Sequence, residues 1–357
     1  MNFKKIIVTG GAGFIGGAVI KKLLLETNAF IYNIDKISYA SDFTCINQIK
    51  SSKERHFHYK INLINKNDLE NLIFKIKPDL IIHLAAETHV DRSIENPSYF
   101  IESNIIGTFN LLQVSTDYWR TLDPISRNNF RFHHVSTDEV FGSLEPNEYF
   151  NESSKYSPMS PYSASKASSD HLVRSWHNTF GLPTLISNCS NNYGPYQFPE
   201  KLIPLTIIKA LNEEKIPLYG DGQNIRDWLF VDDHADAIFQ IIIKGKIGDS
   251  YCIGGDNPIT NLKIAEKICS ILDILRPKNF KYKSLIEFVK DRPGHDRRYA
   301  IDSSYIKKQL NWEPKYNFEK AIEDTVLWYV KNSNWCTKIM EKGSYKGGRF
   351  GLKKEHK

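Results

Sequence analysis

The sequence predicts an α/β fold: a doubly wound parallel sheet with a smaller C-terminal substrate domain interleaved with it. Three observations carry that expectation. An apolar strand at residues 6–9 runs straight into the glycine turn Gly10-Gly11-Ala12-Gly13-Phe14-Ile15-Gly16. A second apolar strand at 30–34 ends on an acid, Asp35. Strand-like and helix-like segments then alternate through the first half of the chain, the pattern that builds a parallel sheet with helices on both faces.

Each element follows in order. Ile6, Ile7, Val8 and Thr9 are β-branched and suit a buried strand. Gly10 lets the chain turn sharply, Gly13 lets the backbone approach a pyrophosphate, and Gly16 lets the following helix pack close to the strand, which is the logic of a Rossmann dinucleotide site. The helix beginning at about Phe14 and Ile15 offers free N–H groups and a positive dipole end to phosphates. Asp35 stands where a carboxylate holds a ribose diol and disfavours a 2′-phosphate, so NAD is preferred over NADP. Further strands are expected at 57–60, 80–84, 132–136 and 183–188. Helices are expected at 15–26, 68–75, 99–115 and 164–178, with Asn67 and Asp68 as an N-cap signal. In the second half Pro195, Pro199 and Pro204 break the pattern, and Gly220, Gly222, Gly254 and Gly255 mark turns. Amphipathic helices are expected at 232–243, 261–274 and 317–332. The domain expectation is a dinucleotide-binding unit over 1–190, with returning elements near 228–253. A smaller unit follows over 191–335, then a flexible tail over 336–357, whose last part (343–357) is rich in glycine and lysine. The ligand is expected across the carboxyl ends of the strands.

Composition narrows the class. The chain has 357 residues, 41% hydrophobic and 25% charged, ordinary values for a globular protein with a substantial core. No apolar run has the length of a bilayer span, and the apolar residues nearest Met1 already belong to the first strand. A cytoplasmic protein without a membrane partner is therefore expected. Five scattered cysteines show no metal-ligand spacing and fit reduced thiols, and no metal is expected. The net charge of +6 comes partly from Lys353, Lys354 and Lys357. With no aromatic–basic interleaving, no nucleic-acid partner is expected.

Tyr162 and Lys166 are four apart at the start of a predicted helix, so they share one face. A lysine beside a phenol favours the phenolate, and the pair then forms a base for an alcohol proton, as hydride transfer to NAD requires. The spacing is common in helices. It gains meaning here from the upstream glycine turn and from Ser136 and Thr137 at a strand's carboxyl end. Asp138 and Glu139 follow directly; two adjacent carboxyls in different environments can hold separate acid and base roles, although an acidic pair also caps helices. His56, His58, His133 and His134 are read as packing or surface residues, and Tyr149, Phe150, Trp228 and Phe230 as core or cleft lining.

These motifs make the chain resemble the extended short-chain dehydrogenase/reductase family: the glycine turn, Asp35, His83-Leu84-Ala85-Ala86, and Tyr162 with Lys166. Longer stretches resemble the dTDP-glucose 4,6-dehydratase branch: residues 85–94, 137–142, 190–197, 222–228 and 291–299. The resemblance runs from residue 5 to about 330. It implies dehydration of a nucleotide-hexose, dTDP-glucose in the first instance: oxidation at carbon 4, loss of water across carbons 5 and 6, and hydride return to carbon 6. A UDP- or CDP-hexose 4,6-dehydratase, or a nucleotide-sugar 4-epimerase, is the alternative, although an epimerase has no need of Asp138 and Glu139. The resemblance makes Asp138 the acid and Glu139 the base. Tyr162 takes the carbon 4 hydroxyl proton with Lys166 lowering its pKa, and Thr137 hydrogen-bonds the same hydroxyl. Phe14, Ile15, Asp35, Lys36, Ser38, Leu84, Ala86, Ser103 and Asn192 become NAD neighbours. Asn62 and Leu63 stand where the family has Asp-Ile to read the adenine amine, and Asn188 stands where it often has Arg and receives no role. Thr88, Asn191, Lys201, Leu202, Pro217, Tyr219, Arg226, Asn261, Arg292 and His295 become nucleotide-sugar contacts. The two arginines suit a diphosphate, against the plain alternative of surface ion pairs. The resemblance also implies a homodimer through the helices at 99–115 and 162–178.

Overall fold

The computed structural model of the chain describes residues 3–343. Its strands, in chain order, are β1 (Lys5–Thr9), β2 (Phe30–Asp35), β3 (His56–Lys60), β4 (Leu80–His83), β5 (Arg131–Thr137), β6 (Thr184–Cys189), β7 (Asn191–Tyr193), β8 (Ile216–Tyr219), β9 (Ile225–Phe230), β10 (Ser250–Ile253), β11 (Pro258–Thr260) and β12 (Ile286–Val289). Seven of them form one sheet in the order β10-β6-β5-β4-β1-β2-β3, and every neighbouring pair is parallel. The order reverses at β1, so the chain winds outward twice from the middle of the sheet, as the sequence predicts. Register sets Thr9 opposite Ile34 and His83, and Thr137 opposite Cys189. The carboxyl ends therefore gather at one edge, where a doubly wound sheet binds ligands.

Apolar residues on both sheet faces hold the layers together. On one side the helices Phe14–Glu26 and Val231–Lys244 pack against Ile6, Val8 and Ile82. On the other side Lys66–Ile76, Gly107–Arg120 and Pro161–Phe180 pack against Ile7, Ile81 and Phe132. Each such side chain, fully buried, contributes about 1.5–3 kcal/mol. A separate core joins the helices Leu202–Leu211, Asn261–Leu275 and Phe318–Lys331 through Ile203, Ile207, Ile264, Ile268 and Ile322. Among the described residues, no helix is long and apolar enough to cross a membrane.

Several expected boundaries are corrected. The helix expected at 68 starts at Lys66, and its cap is Asn65, whose side chain accepts from the Asp68 N–H. Asn67 and Asp68 are thus inside the helix. The helix expected at 99–115 runs on to Arg120, starts at Pro97 and contains a π-helical stretch, Ile101–Ile106. That wider turn aims Asn104 at the loop after β4, where its carboxamide bonds both backbone groups of Glu87. The tail expected from 336 is helical over Ser333–Gly343. Cys336 and Ile339 are buried there, and the Trp335 indole N–H donates to Asp42 at 3.1 Å, so aromatic packing outweighs the polar composition. The remainder of that tail lies outside the described residues. Tyr149 is exposed and lines no cavity described here, contrary to expectation, with Arg298 over its ring.

Candidate active site

Two cavities meet at the carboxyl edge of the sheet. The first lies along the glycine turn. Gly10 has φ of +72°, a conformation open to glycine, and a β-carbon there would come within 2.6 Å of the Ala85 nitrogen. A methyl on Gly16 would run into the Gly10 carbonyl. Gly10, Gly13, Phe14, Ile15 and Gly16 line this cavity, as do Asp35, Lys36, Ser38, Asn62, Leu63, Leu84, Ala86 and Ser103. This cradle, lacking β-carbons where the turn must stay open, fits a pyrophosphate. Asp35 is held in place by the N–H groups of Ala12 (3.1 Å) and Ile37 (2.8 Å). Lys36 donates to Ser103 (2.8 Å) and pairs with Glu87 (2.6 Å). The Asn62 carbonyl oxygen accepts from the Ile64 N–H at 3.3 Å, turned onto its own loop. Asn192 lines both cavities, but its carboxamide is engaged inside, donating to the Ser190 carbonyl and accepting from His234, each at 2.9 Å.

The reacting groups stand where the cavities join. Thr137 ends β5 and caps the 3-10 turn Asp138–Phe141, its hydroxyl accepting from the Glu139 N–H at 3.3 Å and donating to Asp138 Oδ1 at 3.3 Å. Glu139 lines both cavities. Asp138 lies just behind the wall: it is 1% exposed, and its Oδ2 has no hydrogen-bond partner. Burial, with Glu139 and Asp227 nearby, holds the Asp138 carboxyl well above its ordinary value. Burial also raises Glu139, but Arg292, Lys201 and Arg226 oppose that rise. Burial thus raises both neighbours, and cations oppose the rise more at Glu139.

Tyr162 and Lys166 share the Pro161–Phe180 helix, which Ser160 caps through a reciprocal bond with Ser163, and both line the first cavity. The phenol departs from expectation. Burial, reinforced by Glu139, Cys189 and Asp138, holds it well above its usual value, while the Thr137 hydroxyl pulls the other way. The Lys166 ammonium donates to the Val135 carbonyl at 3.0 Å, and burial lowers Lys166 itself.

The second cavity gathers Leu202, Pro217, Tyr219, Arg226, Asn261, Arg292 and His295; Asn191 and Lys201 line both, and Thr88 lines the first. Lys201 crosses to the Thr88 carbonyl at 2.8 Å. Arg226 is no surface ion pair: it is buried, its guanidinium donates to the Ile225 and Asp296 carbonyls, and it lies 4.2 Å from the Tyr299 ring centre. Arg292 Nη1 and Asn261 Oδ1 are buried without hydrogen-bond partners, which leaves a donor and an acceptor for a polar ligand. Burial, with Arg292 and Arg226, pushes the His295 imidazole down, so it stands neutral.

Sequence reasoning missed Tyr39, Asp91, Glu200 and Tyr299. The Tyr219 hydroxyl donates to Asp91 at 2.5 Å, and Tyr39 donates to the buried Glu200 carboxylate at 2.8 Å while Arg92 lies 3.6 Å from its ring centre. Asp91 and Tyr299 fall inside stretches that carry the resemblance, which was their available signal. No local pattern joins residue 39 to residue 200.

The family model described as GDP-mannose 4,6 dehydratase matches residues 7–325. A dTDP-glucose 4,6-dehydratase of Salmonella typhimurium is 49% identical over 350 residues, 96% of each chain. One from Neisseria meningitidis serogroup B is 47% identical over 356 residues, 98% of this chain and 100% of that one. The crystal structure of a Bacillus anthracis dTDP-glucose 4,6-dehydratase in complex with NAD superposes with a TM-score of 0.83 at 40% identity, covering 94% of this chain and 99% of the other. A site with paired, differently poised carboxyls beside a Tyr–Lys helix, on a chain matched along nearly its whole length, places this protein in the dTDP-glucose 4,6-dehydratase family.

Proposed function

We propose that this protein dehydrates dTDP-glucose to dTDP-4-keto-6-deoxyglucose, with NAD as its coenzyme. Bound NAD supplies hydride acceptance from carbon 4 and hydride return to carbon 6. Tyr162 takes the carbon 4 hydroxyl proton, Thr137 hydrogen-bonds that hydroxyl, and Lys166, one helical turn on, supplies the positive charge that a phenolate needs against its burial. The carbon 4 ketone makes the carbon 5 proton acidic. Glu139 removes it, Asp138 protonates the departing carbon 6 hydroxyl, and once hydride has returned to carbon 6 the protonated Glu139 gives the proton back to carbon 5. Asp35 holds the adenosine ribose, and the glycine turn receives the pyrophosphate. Arg226 and Arg292 receive the sugar-nucleotide diphosphate. Residues 1–190, with returning elements near 228–253, form the coenzyme unit, and 191–335 the nucleotide-sugar unit.

The observation that carries this reading is geometric: Glu139 lines both cavities at their junction, Asp138 is enclosed directly beside it, and Tyr162 and Lys166 line the first cavity. Incubation of the purified protein with dTDP-glucose is expected to give a product lighter by one water, absorbing in alkali, with no consumption of added NAD. A substrate of unchanged mass refutes the dehydration. Faster turnover of a UDP- or CDP-hexose refutes the choice of nucleotide.

We also infer a cytoplasmic homodimer. Free cysteines throughout the described residues support a reducing compartment. Exposed Tyr99, Ile101, Ile106 and Phe109 on the helical run from Pro97 support a partner face beside the Pro161–Phe180 helix.

A further inference from the structure

Asp170 has no part in the roles given above and lines neither cavity, yet it is a fully enclosed charge. It sits on the Pro161–Phe180 helix one turn beyond Lys166. Four side chains donate to its carboxylate. Oδ1 takes the His134 Nε2–H at 3.1 Å. Oδ2 takes the Ser136 hydroxyl at 2.9 Å, the Tyr156 hydroxyl at 2.8 Å and Asn188 Nδ2 at 3.1 Å. The proton is assigned to Nε2 because an ionised carboxylate only accepts.

A buried carboxylate persists when its hydrogen bonds and its charge are both answered. His134 answers only the first: burial and Lys166 push its imidazole down to about 4, so it is neutral. Lys166 is the lysine that draws Asp170 down, and Arg174 reaches the Tyr156 hydroxyl (2.8 Å) rather than the carboxylate. Around Lys166 stand His83 from β4, His134 from β5, Cys189 from β6 and Asp170 from its own helix. Of these, Asp170 most strongly opposes the loss of charge that burial imposes on the lysine. The carboxylate also grips the strand that carries the reacting groups. His134 and Ser136 lie on β5, and Asn188 donates a second time, to the Thr137 carbonyl, at 3.1 Å. Asn188, to which the sequence assigns nothing, is thereby the tie between the two.

We propose that Asp170 is a positioning residue for the reaction: through Ser136, His134 and Asn188 it fixes the end of β5 that presents Thr137, Asp138 and Glu139. This inference rests on the function proposed above. A neutral residue of the same shape at 170 loosens the turn at Asp138, without altering the walls that bind the nucleotide.

The test is Asp170→Asn, assayed on dTDP-glucose as full-length protein, with melting temperature and bound NAD measured on the same preparation. The expected result is a kcat about 10–100-fold lower, the scale typical of losing an outer support to a reacting group. KM should hold, and Asp170→Glu should recover part of the rate. An Asp170→Asn protein with wild-type kcat and KM overturns the proposal, as does a loss of rate matched entirely by a loss of folded protein. If that variant does not fold, Ser136→Ala decides: a several-fold fall in kcat at constant KM supports the tether, and an unchanged kcat refutes it. Wild-type protein that makes no keto-sugar refutes the function itself, a result distinct from any of these.

Discussion

Burial raises both Glu139 and Asp138, and their opposite proposed roles set a pH profile. Glu139 acts as a base only when ionised, so activity should fall as pH drops through its raised value. Asp138 acts as an acid only when protonated, so activity should fall again as pH rises through its much higher value. A bell-shaped kcat profile is therefore expected. Glu139→Gln should lower kcat by about 10²–10⁴-fold, read as alkaline keto-sugar absorbance, with the protein still folded. His133 gives a stability prediction of the same scale. It bonds Ser187 at 3.0 Å, and burial holds its imidazole down to about 3. Its folded value lies below the unfolded one, so the neutral ring stabilises the fold fully above about pH 6.5 and progressively less as pH falls toward 3. The stability advantage of the wild type over His133→Gln should shrink by about 1.4 kcal/mol per pH unit below that point, measured by chemical denaturation at pH 7 and pH 5.

The element that decides coenzyme binding is the β1 turn and the helix Phe14–Glu26 behind it. Its backbone closes on itself at Gly16, whose missing side chain leaves room for the Gly10 carbonyl. Gly16→Ala should force the turn open, cost about 1–3 kcal/mol of stability and reduce the NAD that copurifies, read from melting temperature and from nucleotide released on denaturation. The corresponding element on the catalytic side is the Pro161–Phe180 helix. It carries Tyr162, Lys166 and Asp170 on successive turns, so one helix sets the positions of all three relative to β5. The C-terminal helix Ser333–Gly343 reaches the loop after β2, where Trp335 bonds Asp42 and Lys342 donates to the Ser41 carbonyl at 2.7 Å. Ser41 lines the first cavity, so the helix Ser333–Gly343 braces one wall of that cavity.

At the scale of the molecule, one sheet edge collects groups from β1, β2, β4, β5 and β6, and the second core closes the cavity from above. Exposed apolar side chains remain on the helical run from Pro97: Ile101 is 50% exposed and Ile106 43%. If they bury against a second copy, Ile106→Glu should shift the mass in analytical ultracentrifugation from dimer to monomer. A wild type that sediments as a monomer refutes the proposed assembly.

The sequence by itself determined the sheet class, the coenzyme turn and many of the residues that line the two cavities, because glycine spacing, β-branched runs and long motifs are local and each forces one backbone conformation. Asn188 and Asp170 were not legible in this way, since neither belongs to a pattern that neighbours in sequence can reveal. Only the tertiary structure decided that Asp138 is enclosed and Glu139 open to the ligand, that Lys166 turns to Val135 rather than to Tyr162, and that residue 39 meets residue 200. The physical reason is that protonation states and long-range contacts depend on burial and on charges brought together from distant segments, which adjacency along the chain does not encode.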